Sequence, residues 1–311
     1  MSTTANGTKG TISPLTGLTY LESLKRDGYV RIPQVLSPEE LETFRQAAQR
    51  TTKAAREGKW PYIRTIPKQF PPWGSDPSEG IWGVQHLMHP DLPDSPLFVA
   101  AYFNSKVRAV VKELLAEADP NGEPVKDEDL VMELYNMLVR PDKDFALRWH
   151  RDDVPPEATP EEEMKRLSEP GFHAQWNMPL YDDESLIVVT GSHARPRTDA
   201  ERNADPFEDN MPNQDVVDMK AGDVIFYNNN IFHRGVYDST KERMTLHGTM
   251  GHAKGAAHRA RNVLQHGVRE WIKDIRLDAL NDEDRKVAEE MRARLIKLGS
   301  DNPNPGYSQT D

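Results

Sequence analysis

Residues 222–250 read GDVIFYNNNIFHRGVYDSTKERMTLHGTM. Short apolar runs alternate here with clusters of Gly, Asn, Asp and Ser, a pattern that predicts three β-strands joined by turns rather than a helix. The same texture extends upstream through VMELYNMLVR (131–140), FALRWH (145–150), FHAQWNMPLY (172–181), SLIVV (185–189) and QDVVDMK (214–220). Strands at this density belong to a sandwich or barrel. Helices flank the block. LTYLESLKRDGYVRIP (18–33) gives a short helix stopped at Gly28 and a strand over Tyr29 to Ile32. Ser37 then reads as an N-cap, with Pro38 at the first helical position and Glu40 completing a capping box, so a helix should run to near Arg56. Further helices are expected over 105–118, within 256–275 and over 281–299. Residues 57–95, rich in Pro, Trp and Gly, are expected to be irregular but packed near a pocket, because Trp60, Trp73 and Trp82 are costly to leave in water. The fold class is therefore mainly β with flanking helices (α+β). We expect a loose arm over 1–16, one domain over 17–298 and a polar tail over 299–311.

Composition narrows the function. The 311 residues carry 39 Lys and Arg against 50 Asp and Glu, a net charge of −11, which repels nucleic-acid phosphates and anionic lipid surfaces where no basic run intervenes. With no cysteine at all, disulfides, thiolate nucleophiles and cysteine-bound metals are excluded, so any metal must be held by His and carboxylate. The N-terminus has no apolar signal segment and no stretch has the length to span a bilayer, which predicts a cytoplasmic protein, monomer or homodimer, with no nucleic-acid or membrane partner.

The chemistry concentrates in ALRWHRDD (146–153). In an extended segment side chains two apart share a face, so His150 and Asp152 point into one cavity while Arg151 points away. His233 follows in another strand-like segment, NIFHRGV. Two imidazoles and one carboxylate form the ligand set of non-haem Fe(II) oxygenases, in which one face of the octahedron stays open. Arg243 and Thr245 share a face of the next strand. If the strands of His233 and Arg243 pair through the turn VYDSTKE, Arg243 lies across the same cavity, where its planar guanidinium suits a carboxylate and the Thr245 hydroxyl adds a donor.

RWHRDD, IVVTGSHARP and AGDVIFYNNNIFHRGV with Arg243 resemble the His-x-Asp, Gly-Ser-His, Gly-Asp and distal His…Arg motifs of the phytanoyl-CoA dioxygenase family of Fe(II)/2-oxoglutarate-dependent oxygenases. LKRDGYVRIPQVLSPEEL resembles that family's opening, so the likeness runs from about residue 22 to about 253. The resemblance implies a double-stranded β-helix (jelly-roll, cupin-like) core, Fe(II) on His150, Asp152 and His233, and Arg243 on the distal carboxylate of 2-oxoglutarate. It also implies that Met137 and Trp176 line the co-substrate pocket. The expected reaction consumes O2 and 2-oxoglutarate, releases succinate and CO2, and hydroxylates, desaturates or cyclises a small organic metabolite. Asp152 argues against a halogenase, in which a small residue replaces the carboxylate. The alternatives are a cupin-like metal-dependent isomerase or dioxygenase that works without 2-oxoglutarate, and a catalytically inactive binding protein on the same fold.

The remaining candidates read more plainly. His193 should shape a turn, and His86 with His89 lacks the helix that their spacing needs to share a metal. His173, Gln175 and Asn177 share one strand face, opposite Ala174, Trp176 and Met178, and either face can look inward. Lys68, Arg64 and Arg140 form a possible small anion site. The acidic stretch PPEATPEEEMKRLSEP (155–170) reads as a solvated helix beside the metal, placed to act as a lid.

Overall fold

The structure, a computed structural model, describes residues 10–119 and 121–307. Two antiparallel sheets face one another. The larger contains β1 (Tyr29–Ile32), β2 (Ile63–Thr65), β3 (Ile81–Val84), β4 (Leu130–Val139), β6 (His173–Pro179), β9 (Val224–Tyr227) and β11 (Met244–His252), in the order β1-β9-β6-β11-β4-β3-β2. The smaller is β5 (Phe145–Ala146), β7 (Leu186–Val189), β8 (Gln214–Val216) and β10 (Phe232–Tyr237), in the order β5-β10-β7-β8. This is the expected double-stranded β-helix with flanking helices.

The helices are α1 (Tyr20–Asp27), α2 (Pro38–Arg56), α3 (Ser95–Tyr102), α4 (Ser105–Leu114), α5 (Pro160–Leu167), α6 (Asp199–Asn203), α7 (Ala256–Leu264) and α8 (Asp282–Asp301). Local sequence sets their ends. Ser37 accepts from the Glu40 amide while the Glu40 carboxylate accepts from the Ser37 amide, and Pro38 opens α2. Gly28 closes α1 in the left-handed conformation (φ 85°), where an added Cβ would run into the His193 ring. Among the described residues, none of these helices is long and apolar enough to cross a membrane.

Strand alternation divides the large sheet into two faces. Met137, Trp176, Met178, Leu246 and Met250 join the main hydrophobic core, which also takes side chains from α2, α3, α4 and α8. Leu138, Gln175, Asn177, His247 and Thr249 point the other way, into a cavity shared with the small sheet. A sheet buried on both faces leaves few exposed positions to distinguish inside from outside.

Four expectations need correction. The strands of His233 and Arg243 do not pair. β10 lies between β5 and β7, and β11 between β4 and β6, so the chain crosses from one sheet to the other between them. Residues 57–95 are not wholly irregular, since β2 and β3 extend the large sheet. The arm is docked from residue 10 onward: the Thr11 amide donates to Glu113 (2.9 Å) and Ser13 is buried. Its first nine residues lie outside those described, as do 308–311 of the tail, while α8 continues to Asp301. The acidic helix α5 is not merely solvated, because Glu163 is fully buried against Arg197 and Arg202.

Candidate metal centre and co-substrate cavity

Backbone pairing brings the two imidazoles together. His150 and His233 form an isolated antiparallel bridge, each amide donating to the other's carbonyl at 3.0 Å, so their side chains emerge on one face with ring centroids 4.2 Å apart. Two residues on, the Asp152 amide donates to the Asn229 carbonyl (2.9 Å) and returns the carboxylate to that face. Asp152 Oδ1 lies 3.5 Å from His150 Nε2 and 3.8 Å from His233 Nε2. One ligand atom from each residue falls within 4.8 Å of the others. Metal–ligand bonds of about 2 Å fit a divalent ion among donors at these separations. Arg151 points away as expected, and its buried guanidinium donates to the carbonyls of Ser192, Asn230 and Arg195.

The orientation of each ligand is fixed from behind. His150 Nδ1 lies 2.9 Å from the Arg148 carbonyl and His233 Nδ1 2.8 Å from the Ile231 carbonyl. A carbonyl only accepts, so both Nδ1 atoms carry the proton and both Nε2 lone pairs are left for a metal. Burial above all pushes His233 down to about 4, which leaves its Nε2 lone pair available at pH 7. Burial pushes Asp152 upward, but its contacts with His150, His233 and Gln175 outweigh that and hold the carboxyl well below its ordinary value.

Behind Asp152 runs a polar chain. Arg259 Nη2 lies 2.6 Å from His173 Nδ1, His173 Nε2 lies 3.3 Å from Gln175 Oε1, and Gln175 Nε2 donates to Asp152 Oδ2 (3.2 Å). An arginine can only donate, so His173 accepts at Nδ1 and donates from Nε2, which turns the Gln175 amide toward the carboxylate. Arg259 Nε also pairs with buried Glu133 at 2.6 Å. Against the upward push of burial, Arg259 holds Glu133 down at about 2. An acid amid the apolar VMELYN was the sequence signal for this pair, and it went unread.

Arg243 lines the same cavity as His150 and Asp152 from the opposite sheet. It is buried, its guanidinium lies over the Tyr237 ring (4.4 Å), and its Nε donates to Asp183 (2.8 Å). Nη1 is buried without a partner, a donor left for an incoming anion. Thr245 does not complete that clamp in the expected way, because its hydroxyl donates to the same Asp183 oxygen (2.6 Å) and so anchors the carboxylate behind the arginine. Asp183 was missed, being one acid among three in YDDES.

Trp176 and Met137 do not line the cavity. Both are fully buried in the main core, Trp176 among Tyr102, Tyr135 and Phe226. Trp176 lies so close against Gly248 that any Cβ there would collide with the indole. Their positions on β6 and β4 turn them to the helices, while Gln175, Asn177 and Leu138 take the inward face. The aromatic stretch does form a wall: Phe70, Trp73 and Trp82 line the cavity. His193 shapes the turn beside α1, its Nε2 3.0 Å from the Lys25 carbonyl. His86 stacks on Tyr62 (4.6 Å) and accepts from Trp271 Nε1 (2.8 Å), so it belongs to an aromatic cluster with His89. Lys68, Arg64 and Arg140 do not form one site. Arg64 lines the central cavity, Lys68 donates to the Pro72 carbonyl and Arg140 to the Ser239 carbonyl.

Solved structures with this architecture include AviO1 from Streptomyces viridochromogenes Tue57 (20% identity, 78% of this chain and 96% of that one, TM-score 0.50). EctD from S. alaskensis with 2-oxoglutarate and 5-hydroxyectoine matches at 16% identity over 81% and 80% of the two chains, with TM-score 0.53. HygX from Streptomyces hygroscopicus with nickel, 2-oxoglutarate and hygromycin B matches at 20% identity over 75% and 86%, with TM-score 0.50. These likenesses establish the fold. A comparison with curated protein sequences finds no match. The model of the phytanoyl-CoA dioxygenase (PhyH) family matches residues 24–245, more than half of the sequence and a span that contains His150, Asp152, His233 and Arg243. The chain belongs to that family, and it is an Fe(II)/2-oxoglutarate-dependent oxygenase.

Proposed function

We propose that the chain oxidises a C–H bond of a small organic metabolite, with Fe(II) on His150 Nε2, Asp152 Oδ1 and His233 Nε2 and the distal carboxylate of 2-oxoglutarate on Arg243. The observation that carries this is the convergence of those three ligand atoms in one cavity whose far wall holds a guanidinium with an unpartnered Nη1. Iron bound there supplies O2 activation coupled to decarboxylation of 2-oxoglutarate to succinate and CO2.

The protein's own part is positional. His150 and His233 keep a proton at Nδ1, on backbone carbonyls, and turn Nε2 toward the metal position. Asp152 offers one oxygen forward while Gln175 engages the other. Arg243, steadied at Nε by Asp183, presents Nη1 to a carboxylate, and the Phe70, Trp73 and Trp82 wall limits water around the reacting carbon. Where the substrate carbon is held decides between hydroxylation, desaturation and ring closure. Structures of EctD with 5-hydroxyectoine and of HygX with hygromycin B support a small metabolite as the substrate class.

The test is anaerobic titration of the Fe(II)-loaded protein with 2-oxoglutarate, followed by substrate-independent succinate formation in air with ascorbate. Saturable binding and slow succinate release are expected. An enzyme that works without 2-oxoglutarate gives neither, and that result overturns the proposal.

A further inference from the structure

We propose that Arg64 is a carboxylate anchor in the wall of the central cavity, so that a ligand bound over the metal site sets a carboxylate against its guanidinium. Arg64 stands on β2 opposite Gly83 of β3, and the Arg64 stem fills the space a Cβ at position 83 would need. Its guanidinium lies over the rings of Trp73 (4.7 Å) and Trp82 (5.2 Å). Nε is enclosed without a hydrogen-bond partner, and among the described residues no carboxylate reaches salt-bridge distance of Arg64.

The other charges of the cavity are accounted for. Arg243 pairs with Asp183 (2.8 Å), Arg259 with Glu133 (2.6 Å) and Asp153 with Arg166 (2.6 Å). Asp152 is the proposed metal ligand, so its charge is not left over for Arg64. Burial lowers the Arg64 pKa to about 10, which leaves it cationic at neutral pH. Its neighbours His247 and His266 are pushed the same way, first by burial and then by the Arg64 charge, and stay neutral. A fixed cation without a counter-ion, facing the reaction cavity, is costly unless a ligand anion completes it. Stacking on indole faces leaves the N–H edge of a guanidinium for hydrogen bonding, and that planar fork matches a carboxylate.

This inference rests on the proposed function, and two sources share the chemistry: a carboxylate of 2-oxoglutarate or one carried by the oxidised substrate. Two titrations on the full chain separate them. In the first, 2-oxoglutarate is added anaerobically to Fe(II)-loaded wild type, Arg64→Gln and Arg64→Lys, and its affinity read from the visible charge-transfer band. In the second, Zn(II)-loaded protein saturated with 2-oxoglutarate is titrated with propionate, and with propionamide as the neutral control, through tryptophan fluorescence. A weakening of about tenfold or more in Arg64→Gln is the expected result in one arm, with Arg64→Lys intermediate. Loss in the first arm assigns the carboxylate to the co-substrate. Loss in the second, with propionamide silent, assigns it to the substrate. Affinities within twofold of wild type in both arms, or no propionate binding by wild type with an unchanged first arm, overturn the proposal. If circular dichroism shows Arg64→Gln unfolded, Arg64→Lys is judged by the same criteria. Failure of the function reading looks different: Arg243→Ala then keeps wild-type 2-oxoglutarate affinity, and the propionate arm still reports on Arg64.

Discussion

The two ends of the cavity are built by different rules. At the metal end, each imidazole is oriented by a carbonyl two residues upstream, Arg148 for His150 and Ile231 for His233, and Asp152 follows His150 by one alternation of the strand. The ring orientation of each histidine is set within its own motif. At the anion end, Arg243 and Thr245 both lean on Asp183, from 60 and 62 residues away. Backbone hydrogen bonds between strands bring the side chains of the first end together, whereas the second end depends on a buried side-chain pair with a distant turn. The metal end should therefore respond to substitution chiefly in ligand affinity, and the anion end in affinity and stability together.

The largest effect is expected from Asp152→Ala. It removes a proposed ligand, so metal binding by calorimetry and succinate formation should both fall to background while circular dichroism stays native. Normal turnover in this variant contradicts the assignment outright. At the other end, Arg243→Ala should raise the KM for 2-oxoglutarate by about 10²-fold, the effect of losing a charge-assisted contact of some 2–3 kcal/mol, with Fe(II) affinity unchanged. Asp183→Asn tests the second half of the comparison. It breaks a buried pair and should cost about 3 kcal/mol in denaturant unfolding. Because it leaves the guanidinium in place, its effect on KM should be the smaller of the two. Equal KM effects would mean that Asp183 orients Arg243 rather than merely neutralising it.

Gln175→Leu sharpens the metal end. Gln175 touches only the outer oxygen of Asp152, and the loss of such outer support typically costs about 10–100-fold in metal affinity. The expected result is weaker Fe(II) binding in that range with a native melting curve. Unchanged affinity would mean that Gln175 lends the carboxylate no support that a metal can sense.

How far the sequence could be read follows the same division. The capping boxes, the strand alternation and the shared face of His150 and Asp152 were legible because each depends on residues within a few positions of one another, while His233 was joined to them by the ligand set and the order of the motifs. The pairing of β10 with β11 was misread because a turn-like VYDSTKE is compatible with a hairpin and with a crossing between sheets; which occurs is decided by the strands already flanking each. The inward face of β6 was ambiguous because helices cover one side and the cavity the other, so both faces are buried. Asp183 gave no signal, since an acid in a turn is ordinarily solvated. Glu133 did give one, a carboxylate within an apolar strand, which can persist only with a buried cation such as Arg259.

The smallest effects are expected where the resemblance pointed into the cavity and the fold points into the core. Met137 and Trp176 are both sealed from solvent on the helix-covered side of the large sheet. Met137→Leu conserves volume and should cost under about 1.5 kcal/mol. Trp176→Phe opens a small void against Gly248, yet the indole N–H it removes is buried without a partner, so the loss of that donor costs nothing further. Both variants should therefore melt slightly earlier and keep a KM for 2-oxoglutarate within twofold of wild type. A several-fold rise in KM at undiminished stability would mean that these side chains set the position of their cavity-facing neighbours, as Trp176 can through Gly248 between His247 and Thr249.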